Sequence, residues 1–289
     1  MATAEDELRS VLITGASSGI GAACTLDLAE RGFQVFAGVR KPEDGERLVQ
    51  QAPDHIRAVM LDVTDQESIE RAAREIAAQT GRGRLWGLVN NAGILVSAPL
   101  ECVALDRMRQ QFEVNVFGTL AVTQAMLPMI RRARGRIVTV GSIAGRAAPP
   151  YFGPYSATKF ALESMTDVLR MELRTWGIRV SIIEPDSVIT PIWDKLDASN
   201  QQAVELTDDA QRLYGDDVAA MAQAAAKMGA RGMPVDRVVK AVHHALTSRR
   251  PKTRYPLGFR TRLATWAISR IPDWIRDWYM LRELGMPTR

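Results

Sequence analysis

Short apolar runs alternate with longer stretches of helical hydrophobic spacing through the first two thirds of the chain. Six runs have the length and the β-branched content of buried strands, at residues 9–14, 34–39, 56–61, 85–89, 136–140 and 179–183. The segments between them, such as 65–79 and 106–130, repeat apolar residues at the three- and four-residue spacing of amphipathic helices. This alternation predicts an α/β fold, a Rossmann-type doubly wound parallel sheet in a single domain.

A glycine-rich turn follows the first predicted strand and opens a helical pattern. It reads Gly15-Ala-Ser-Ser-Gly19-Ile-Gly21. In this position a turn directs backbone N–H groups and a helix N-terminus toward a phosphate. We expect nucleotide binding here; the alternative is a merely tight turn.

The end of the second predicted strand indicates which nucleotide binds. An acidic residue there would accept a hydrogen bond from the ribose 2′-hydroxyl, but Val39 and Arg40 hold the position. A guanidinium suits a 2′-phosphate. The sequence therefore predicts NADP in preference to NAD, whereas the other reading of Arg40 and Lys41 is a solvated basic loop.

A tyrosine and a lysine four residues apart open a long apolar-periodic segment. In Tyr155-Ser-Ala-Thr-Lys159 both side chains would project from one face of a helix. A fixed positive charge would lower the tyrosine pKa from about 10 toward the working range of an acid or base. The same spacing also occurs on surface helices, so its weight depends on its neighbours. Ser142, at the end of the fifth strand, is the nearest of them.

Six motifs resemble, in order and with ordinary spacing, those of the short-chain dehydrogenase/reductase family. Any one is common by chance, but six in register identify the chain as a member. The match runs from about Val11 to Thr190 and comprises Thr14-Gly15-x-x-x-Gly19-x-Gly21, Asn90-Asn91-Ala92-Gly93, Asn115, Ser142, Tyr155-x-x-x-Lys159, and Pro185 through Thr190.

This resemblance implies a chemistry. Tyr155 would exchange a proton with the substrate's carbonyl or hydroxyl oxygen while hydride moves between its carbon and a nicotinamide. Ser142 would hydrogen-bond the same oxygen. Lys159 would lower the tyrosine pKa and bind the nicotinamide ribose, and Asn115 would help hold a water that links the lysine to solvent.

The resemblance also implies the cofactor contacts, with NADP as the expected cofactor, NAD as the alternative and no metal. One departure is Asp186, where the family usually has glycine; aspartate tolerates positive φ better than most residues but adds a charge. The expected cofactor-binding residues are Gly15, Ser17, Ser18, Gly19, Ile20, Gly21, Arg40, Asp62, Val63, Asn90, Ala92, Gly93, Tyr155, Lys159, Pro185, Val188 and Thr190.

The last third of the chain bears on the substrate. We expect a catalytic domain at 1–258 that includes a substrate-covering segment at about 190–232, and a helical tail at 259–289. The stretch 251–258 and the tail resemble the retinol and hydroxysteroid dehydrogenase branch, which implies a bulky apolar alcohol or ketone. Alternatives are a reductase of a small acyl or sugar-like carbonyl, and a nucleotide-sensing module without catalysis. The presence of Ser142, Tyr155 and Lys159 disfavours the sensing module.

Composition and charge indicate where the protein is located and which ligands it does not bind. No apolar run reaches the roughly 18 residues of a membrane span, and the start lacks a signal-peptide layout; we expect a cytoplasmic homodimer or homotetramer. Cys24 and Cys102 have no CxxC partner, and the histidines lack metal-ligand spacing. Of the net charge of +4, residues 249–289 carry +7 and the rest −3. This distribution disfavours nucleic-acid binding.

The basic tail has two readings. Ala267, Ile271, Trp274, Trp278 and Leu281 recur on one helical face. That face either packs on the protein or a partner subunit, or lies on an anionic membrane surface.

Overall fold

The computed structural model describes residues 9–193, 208–258, 271–284 and 286. The predicted substrate-covering segment and tail fall partly outside these ranges, and so does Ala267. Among the described residues the strands form one seven-stranded parallel sheet in the order β3-β2-β1-β4-β5-β6-β7. The strands are β1 Ser10–Ile13, β2 Gln34–Val39, β3 Ile56–Met60, β4 Gly87–Asn90, β5 Arg136–Val140, β6 Arg179–Pro185 and β7 Arg254–Leu257.

The first six strands confirm the predicted doubly wound sheet, with ends shifted by no more than two residues. β7 was not predicted. It pairs with β6 at the sheet edge, where only Tyr255 is fully buried. A strand with one covered face and a proline at its third position carries little of the apolar signal that marks a central strand.

Helices cover both faces of the sheet. They are α1 Gly19–Glu30, α2 Pro42–Gln51, α3 Gln66–Gln79, α4 Leu105–Phe112, α5 Gly118–Ala133, α6 Gly153–Glu172, α7 Asp208–Ala230, α8 Asp236–Thr247 and α9 Asp273–Glu283. One apolar core joins α1, α2 and α8 to the sheet, and the other joins α3 and α5 to its opposite face. Doubly wound packing of this kind leaves the carboxyl edge of the strands open between the two helix layers.

The long helix predicted at 106–130 is interrupted by one wide turn. A π-helical turn, Glu113–Phe117, joins α4 to α5. It contains Asn115, and such single-turn bulges often occur at functional sites. No helix of the described residues is long and apolar enough to span a bilayer.

Candidate functional site

A cavity of about 710 Å³ opens at the carboxyl edge of the sheet. Its walls come from the loops after β1, β2, β3, β4, β5 and β6, so chain segments far apart in sequence meet there. Three predicted site residues, Gly21, Asn90 and Asn115, do not line it. The predicted residues that do are Gly15, Ser17, Ser18, Gly19, Ile20, Arg40, Asp62, Val63, Ala92, Gly93, Ser142, Tyr155, Lys159, Pro185, Val188 and Thr190.

The glycine turn is shaped for close backbone approach. Gly15 has φ +63°, and a Cβ there would lie 2.8 Å from Ala92 Cα. A Cβ on Gly21 would lie 2.3 Å from the Gly15 carbonyl oxygen. Only glycine fits such spacings without displacing backbone. Gly21 therefore supports the turn from behind, where a side chain would displace the Gly15 backbone.

Asn91 holds this turn in place, although sequence reasoning did not name it as a site residue. Its Nδ2 donates to the carbonyl oxygens of Thr14 at 3.0 Å and Gly15 at 3.1 Å. The Thr14 hydroxyl in turn accepts from the backbone N–H groups of Asn91 and Ala92, both at 3.0 Å. The ends of β1 and β4 are thus locked together. Its place in the Asn90-Asn91-Ala92-Gly93 motif was the available signal.

The glycine turn and the groups around it fit a dinucleotide. The N-terminus of α1 faces the glycine turn and has no acidic side chain in its first turn, so its partial positive charge is available to a phosphate. Arg40 lines the cavity at the end of β2 and is exposed. A second guanidinium lies close to the glycine turn, because Arg47 Nη2 donates to the Ser17 carbonyl oxygen at 2.8 Å. Arg47 was not predicted, since nothing in the sequence brings α2 to this turn.

Asp62 is an ionised carboxylate on the adenine side of the predicted cofactor position. Partial burial would raise its pKa, but hydrogen bonds from the Thr64 backbone N–H and hydroxyl, at 2.9 and 2.7 Å, and the charge of Arg40 together hold the pKa below its usual value. Asn90, by contrast, is buried and donates to the Thr123 hydroxyl on α5 at 2.9 Å. It braces the end of β4 from behind the cavity wall.

Ser142, Tyr155 and Lys159 converge from two elements. Ser142 follows β5, and its hydroxyl accepts from the Ala144 N–H at 3.1 Å while lying within hydrogen-bonding reach of the Tyr155 phenol. Lys159 is one turn along α6 from Tyr155, with Nζ 5.4 Å from the centroid of the phenol ring. The predicted cluster therefore exists as one group of side chains on the cavity wall.

The pKa values of this cluster differ from the sequence-based expectation. Burial of the phenol raises the pKa of Tyr155 to about 12, against the lowering effect of the Ser142 hydrogen bond. The expected lowering by Lys159 is not found, and burial dominates because a buried phenolate lacks solvation. Burial also lowers the pKa of Lys159 to about 8. At neutral pH the tyrosine is therefore protonated and the lysine charged.

Asn115 is held in place by three hydrogen bonds. Its Oδ1 accepts from the Ile94 N–H at 2.9 Å, and its Nδ2 donates to the Ile94 carbonyl oxygen at 3.0 Å and to the Thr158 hydroxyl at 3.1 Å. Thr158 is the residue before Lys159. Asn115 thus connects the loop after β4 to α6, next to the lysine.

The turn after β6 does not need a glycine. Asp186 is exposed on the cavity wall, and its Oδ1 accepts from the Ser187 N–H at 2.8 Å. The positive-φ residues other than glycine in the described part of the chain are Arg82, Arg134 and Tyr151. Asp186 is not among them, so the aspartate is accommodated without positive-φ strain.

An apolar cluster adjoins Tyr155 on the substrate side. Its buried members come from the loop after β4, the loop before α6, α7 and the C-terminal segment, with Tyr155, Trp193 and Leu281 packed against them. Leu284 and Met286 of the C-terminal segment thus pack in the cluster that adjoins Tyr155. By contrast, Trp274 and Trp278 of α9 are 72% and 46% exposed. The buried members are Leu95, Phe152, Met221, Leu284 and Met286.

One strained residue links this cluster to α7. Tyr151 has φ +65°, which is costly for a bulky side chain. Its hydroxyl donates to Asp217 Oδ2 at 2.6 Å, and burial together with that carboxylate raises its pKa. Sequence reasoning missed this contact because the two residues are 66 positions apart.

Comparison with known proteins agrees with this arrangement. The short chain dehydrogenase family model matches residues 9–201. A relative from Ornithobacterium rhinotracheale, described as an NADPH-dependent 3-dehydrocapnine reductase, is 33% identical, with 98% of this chain and 99% of that protein covered. Human 17-beta-hydroxysteroid dehydrogenase type 6 is 34% identical, with 96% of this chain and 90% of that protein covered.

A solved structure extends the likeness to three dimensions. It is a short chain dehydrogenase from Burkholderia cenocepacia in complex with NADP, 26% identical, with a TM-score of 0.72. The superposition covers 97% of this chain and 99% of that one. The fold, the family motifs and the relatives all indicate a nicotinamide-dependent oxidoreductase.

Proposed function

This chain belongs to the short-chain dehydrogenase/reductase family, and we propose that it is an NADP-dependent oxidoreductase of bulky apolar alcohols or ketones. The observation that carries the proposal is the position of the Tyr155 phenol. It lies within hydrogen-bonding reach of Ser142 on the wall of the nucleotide-sized cavity, and its ring packs against the apolar cluster. A reacting oxygen held there has a proton donor on the protein side and an apolar space for the rest of its molecule.

The residues of this cluster have distinct roles. Ser142 donates a hydrogen bond to the substrate oxygen and orients it toward Tyr155. Tyr155 is protonated at neutral pH, so it gives its proton to the oxygen of a ketone during reduction. In the reverse direction, the phenolate that this transfer leaves would take the proton of an alcohol. Bound nicotinamide supplies or accepts the hydride. Lys159, charged and fixed by its bond to the Val140 carbonyl oxygen at 2.9 Å, stabilises negative charge that develops on the phenol.

The groups around the predicted adenosine position support NADP. Arg40 and Arg47 supply guanidinium groups near the glycine turn, and β2 ends without an acidic side chain. Asp62, the nearby carboxylate, has its Oδ1 engaged by Thr64. A 2′-phosphate would therefore meet the Arg40 guanidinium, whereas Arg47 lies nearby and is paired with Asp44 at 2.9 Å. The relative from Ornithobacterium rhinotracheale is named for NADPH dependence.

The apolar cluster supports the substrate class. Leu95, Phe152, Ile192 and Trp193 belong to this cluster and line the cavity near Tyr155, and an apolar and aromatic wall suits a bulky apolar body. The human relative named for a hydroxysteroid has a matching substrate type. A small acyl or sugar-like carbonyl would contact little of this lining.

Two surface features support further proposals. On α9, Trp274 and Trp278 are exposed. The helix itself carries two arginines against three acidic residues, and the excess of basic residues lies in the rest of 249–289. We assign the two tryptophans to peripheral contact with a membrane surface, with the neighbouring basic residues drawn to anionic lipid. On the π-helical turn and α6, Phe117, Phe160 and Met171 are 54%, 46% and 59% exposed. A second copy of the chain would cover this apolar face, and light scattering of the purified protein tests for the dimer or tetramer.

The activity is tested by presenting steroid-like, retinoid-like and short-chain alcohols and ketones with either cofactor. Absorbance of the reduced nicotinamide reports turnover. We expect the highest kcat/KM with a bulky apolar substrate and NADP(H). Faster turnover of short polar carbonyls would overturn the substrate class, and nucleotide binding without turnover of any of these would indicate a sensing module.

A further inference from the structure

Charged side chains from four elements meet beside the turn that carries Ser142. Glu163 lies on α6 and Glu184 on β6; their side chains are 8% and 1% exposed. Arg254 is the first residue of β7. Arg146 directly follows the 3-10 turn Ile143–Gly145, which Ser142 caps. Carboxyl groups are rarely buried so deeply unless they are paired.

The two arginines bridge the two glutamates. Arg254 Nε donates to Glu163 Oε2 at 3.0 Å and lies 3.7 Å from Glu184 Oε1. Arg146 Nη1 lies 3.8 Å from Glu163 Oε2, and its Nε lies 4.0 Å from Glu184 Oε1. At the solvent side, Asp167 accepts from Arg254 Nη2 at 2.7 Å and from Arg170 Nη2 at 3.2 Å. The network thus joins α6, β6 and β7 to the serine turn.

The two glutamates also contact each other. Their carboxyl groups lie within hydrogen-bonding reach, and Oε1 of each is buried without a donor. Two carboxylates in this position would repel, whereas one proton between them satisfies both oxygens. Burial and the charge of Glu163 raise the pKa of Glu184 to about 7, against the opposing charges of Arg146 and Arg254.

The serine turn rests directly on α6. A Cβ on Gly145 would lie 2.8 Å from the Lys159 carbonyl oxygen and 3.2 Å from Glu163 Cγ. There is no room between the turn and the helix segment that carries the lysine. The separation of the Ser142 hydroxyl from the Tyr155 phenol therefore depends on how this turn is seated.

We infer that Glu163, Glu184 and Arg146 are positioning residues, which seat the Ser142 turn on the Tyr155 helix while one proton is shared between the two carboxyl groups. The inference rests on the proposed function, because the seating of the turn affects turnover only if Ser142 and Tyr155 act together on the substrate. Loss of the proton places two carboxylates face to face between α6 and β6. The repulsion loosens the turn and changes the position of Ser142 relative to Tyr155.

Glu184→Gln tests the shared proton. The amide keeps the shape, donates to Glu163 and does not titrate. A carboxyl whose folded pKa is raised stabilises the protein at low pH and loses that contribution as pH rises through the folded pKa. We expect the Tm of the wild type, measured from about pH 4 to about pH 9, to fall relative to that of Glu184→Gln between the ordinary pKa of 4.5 and about pH 7, and to stay level above that. A Tm difference that does not change with pH would contradict the shared proton. This measurement does not depend on enzymatic activity, so it stands apart from the proposed function.

Arg146→Gln tests the seating. Because misplacement of an orienting group by a fraction of an ångström slows the reaction, we expect kcat to fall about tenfold, with KM and the nucleotide Kd within about twofold. Arg146→Lys should recover most of kcat. Arg31→Gln, which breaks the exposed ion pair with Asp27, is the matched control and should leave kcat unchanged. Unchanged kcat in Arg146→Gln, or an equal fall in kcat and nucleotide affinity, would overturn the positioning role. An inactive wild type would instead refute the proposed function.

Discussion

Lys159 donates a hydrogen bond from Nζ to the main-chain oxygen of Val140, at 2.9 Å. This contact ties a charged side chain of α6 to the last residue of β5, two positions before Ser142. The strand that ends in the serine and the helix that carries the tyrosine are therefore joined through the lysine. The geometry of the proposed reaction depends on this junction as much as on the three side chains themselves.

Tyr155→Phe should remove turnover and retain cofactor binding. The substitution deletes the proton donor but keeps the ring that packs against the apolar cluster. We expect kcat to fall by about 10²–10⁴-fold, as for loss of a general acid, with the NADP Kd within about twofold. Steady-state kinetics and fluorescence titration check both values. Substantial residual turnover would exclude Tyr155 from the acid–base role.

Lys159→Met should stabilise the protein at neutral pH while it lowers turnover. Burial lowers the pKa of this lysine from 10.5 to about 8, so holding the buried charge costs stability below pH 8. That cost disappears between about pH 8 and about pH 10, where the unfolded chain binds the proton and the folded protein does not. The Tm of the wild type should therefore rise relative to that of Lys159→Met over this interval. A constant difference would mean that the lysine stays charged in the folded protein over this interval, with no lowered pKa.

Arg40→Asp should shift cofactor preference toward NAD(H). A charge-assisted hydrogen bond contributes roughly 1.5–3 kcal/mol, so the ratio of affinities should change by about ten- to a hundredfold. Arg31→Asp, on the exposed end of α1, serves as the control for added negative charge. Equal or better use of NAD(H) by the wild type would contradict the NADP assignment.

Asp186→Gly should tighten binding of the reduced cofactor relative to the oxidised one. The exposed carboxylate on the cavity wall favours a positively charged ring over a neutral one. Removing it takes away that preference, and because residue 186 has no positive φ, the backbone should not relax. Titration with both redox forms gives the ratio, and an unchanged ratio would indicate that the carboxylate does not face the ring.

The two roles of the C-terminal segment can be separated by substitution. Leu284→Ala should raise KM for apolar substrates, because Leu284 is buried in the cluster beside Tyr155. Trp274→Ser with Trp278→Ser should leave KM unchanged but reduce co-sedimentation with anionic vesicles at low salt. If the intact protein ignores such vesicles, the membrane contact is refuted and the segment acts only as a cover.

The sheet and most of the cavity wall could be predicted from the sequence because their signals are local. The apolar strand runs, the glycine turn and the motifs at strand ends each occupy a few consecutive residues, and parallel topology then brings the strand ends to one edge. Ser142, Tyr155 and Lys159 follow from that rule, and the structure brings them together. β7 was missed because an edge strand with one buried residue has almost no local signal.

Only the tertiary structure decided which side chains lose their water and which residues distant in sequence they contact. Spacing predicted a lowered pKa for Tyr155, but the pKa rises, because the loss of water around the phenol depends on how the loops, α7 and the C-terminal segment pack around it. The positions of Arg47 beside Ser17, Tyr151 beside Asp217 and Glu163 beside Glu184 have the same origin. A sequence specifies which side chains are charged or apolar; only the packed fold determines which of them lose water and which charge each one meets.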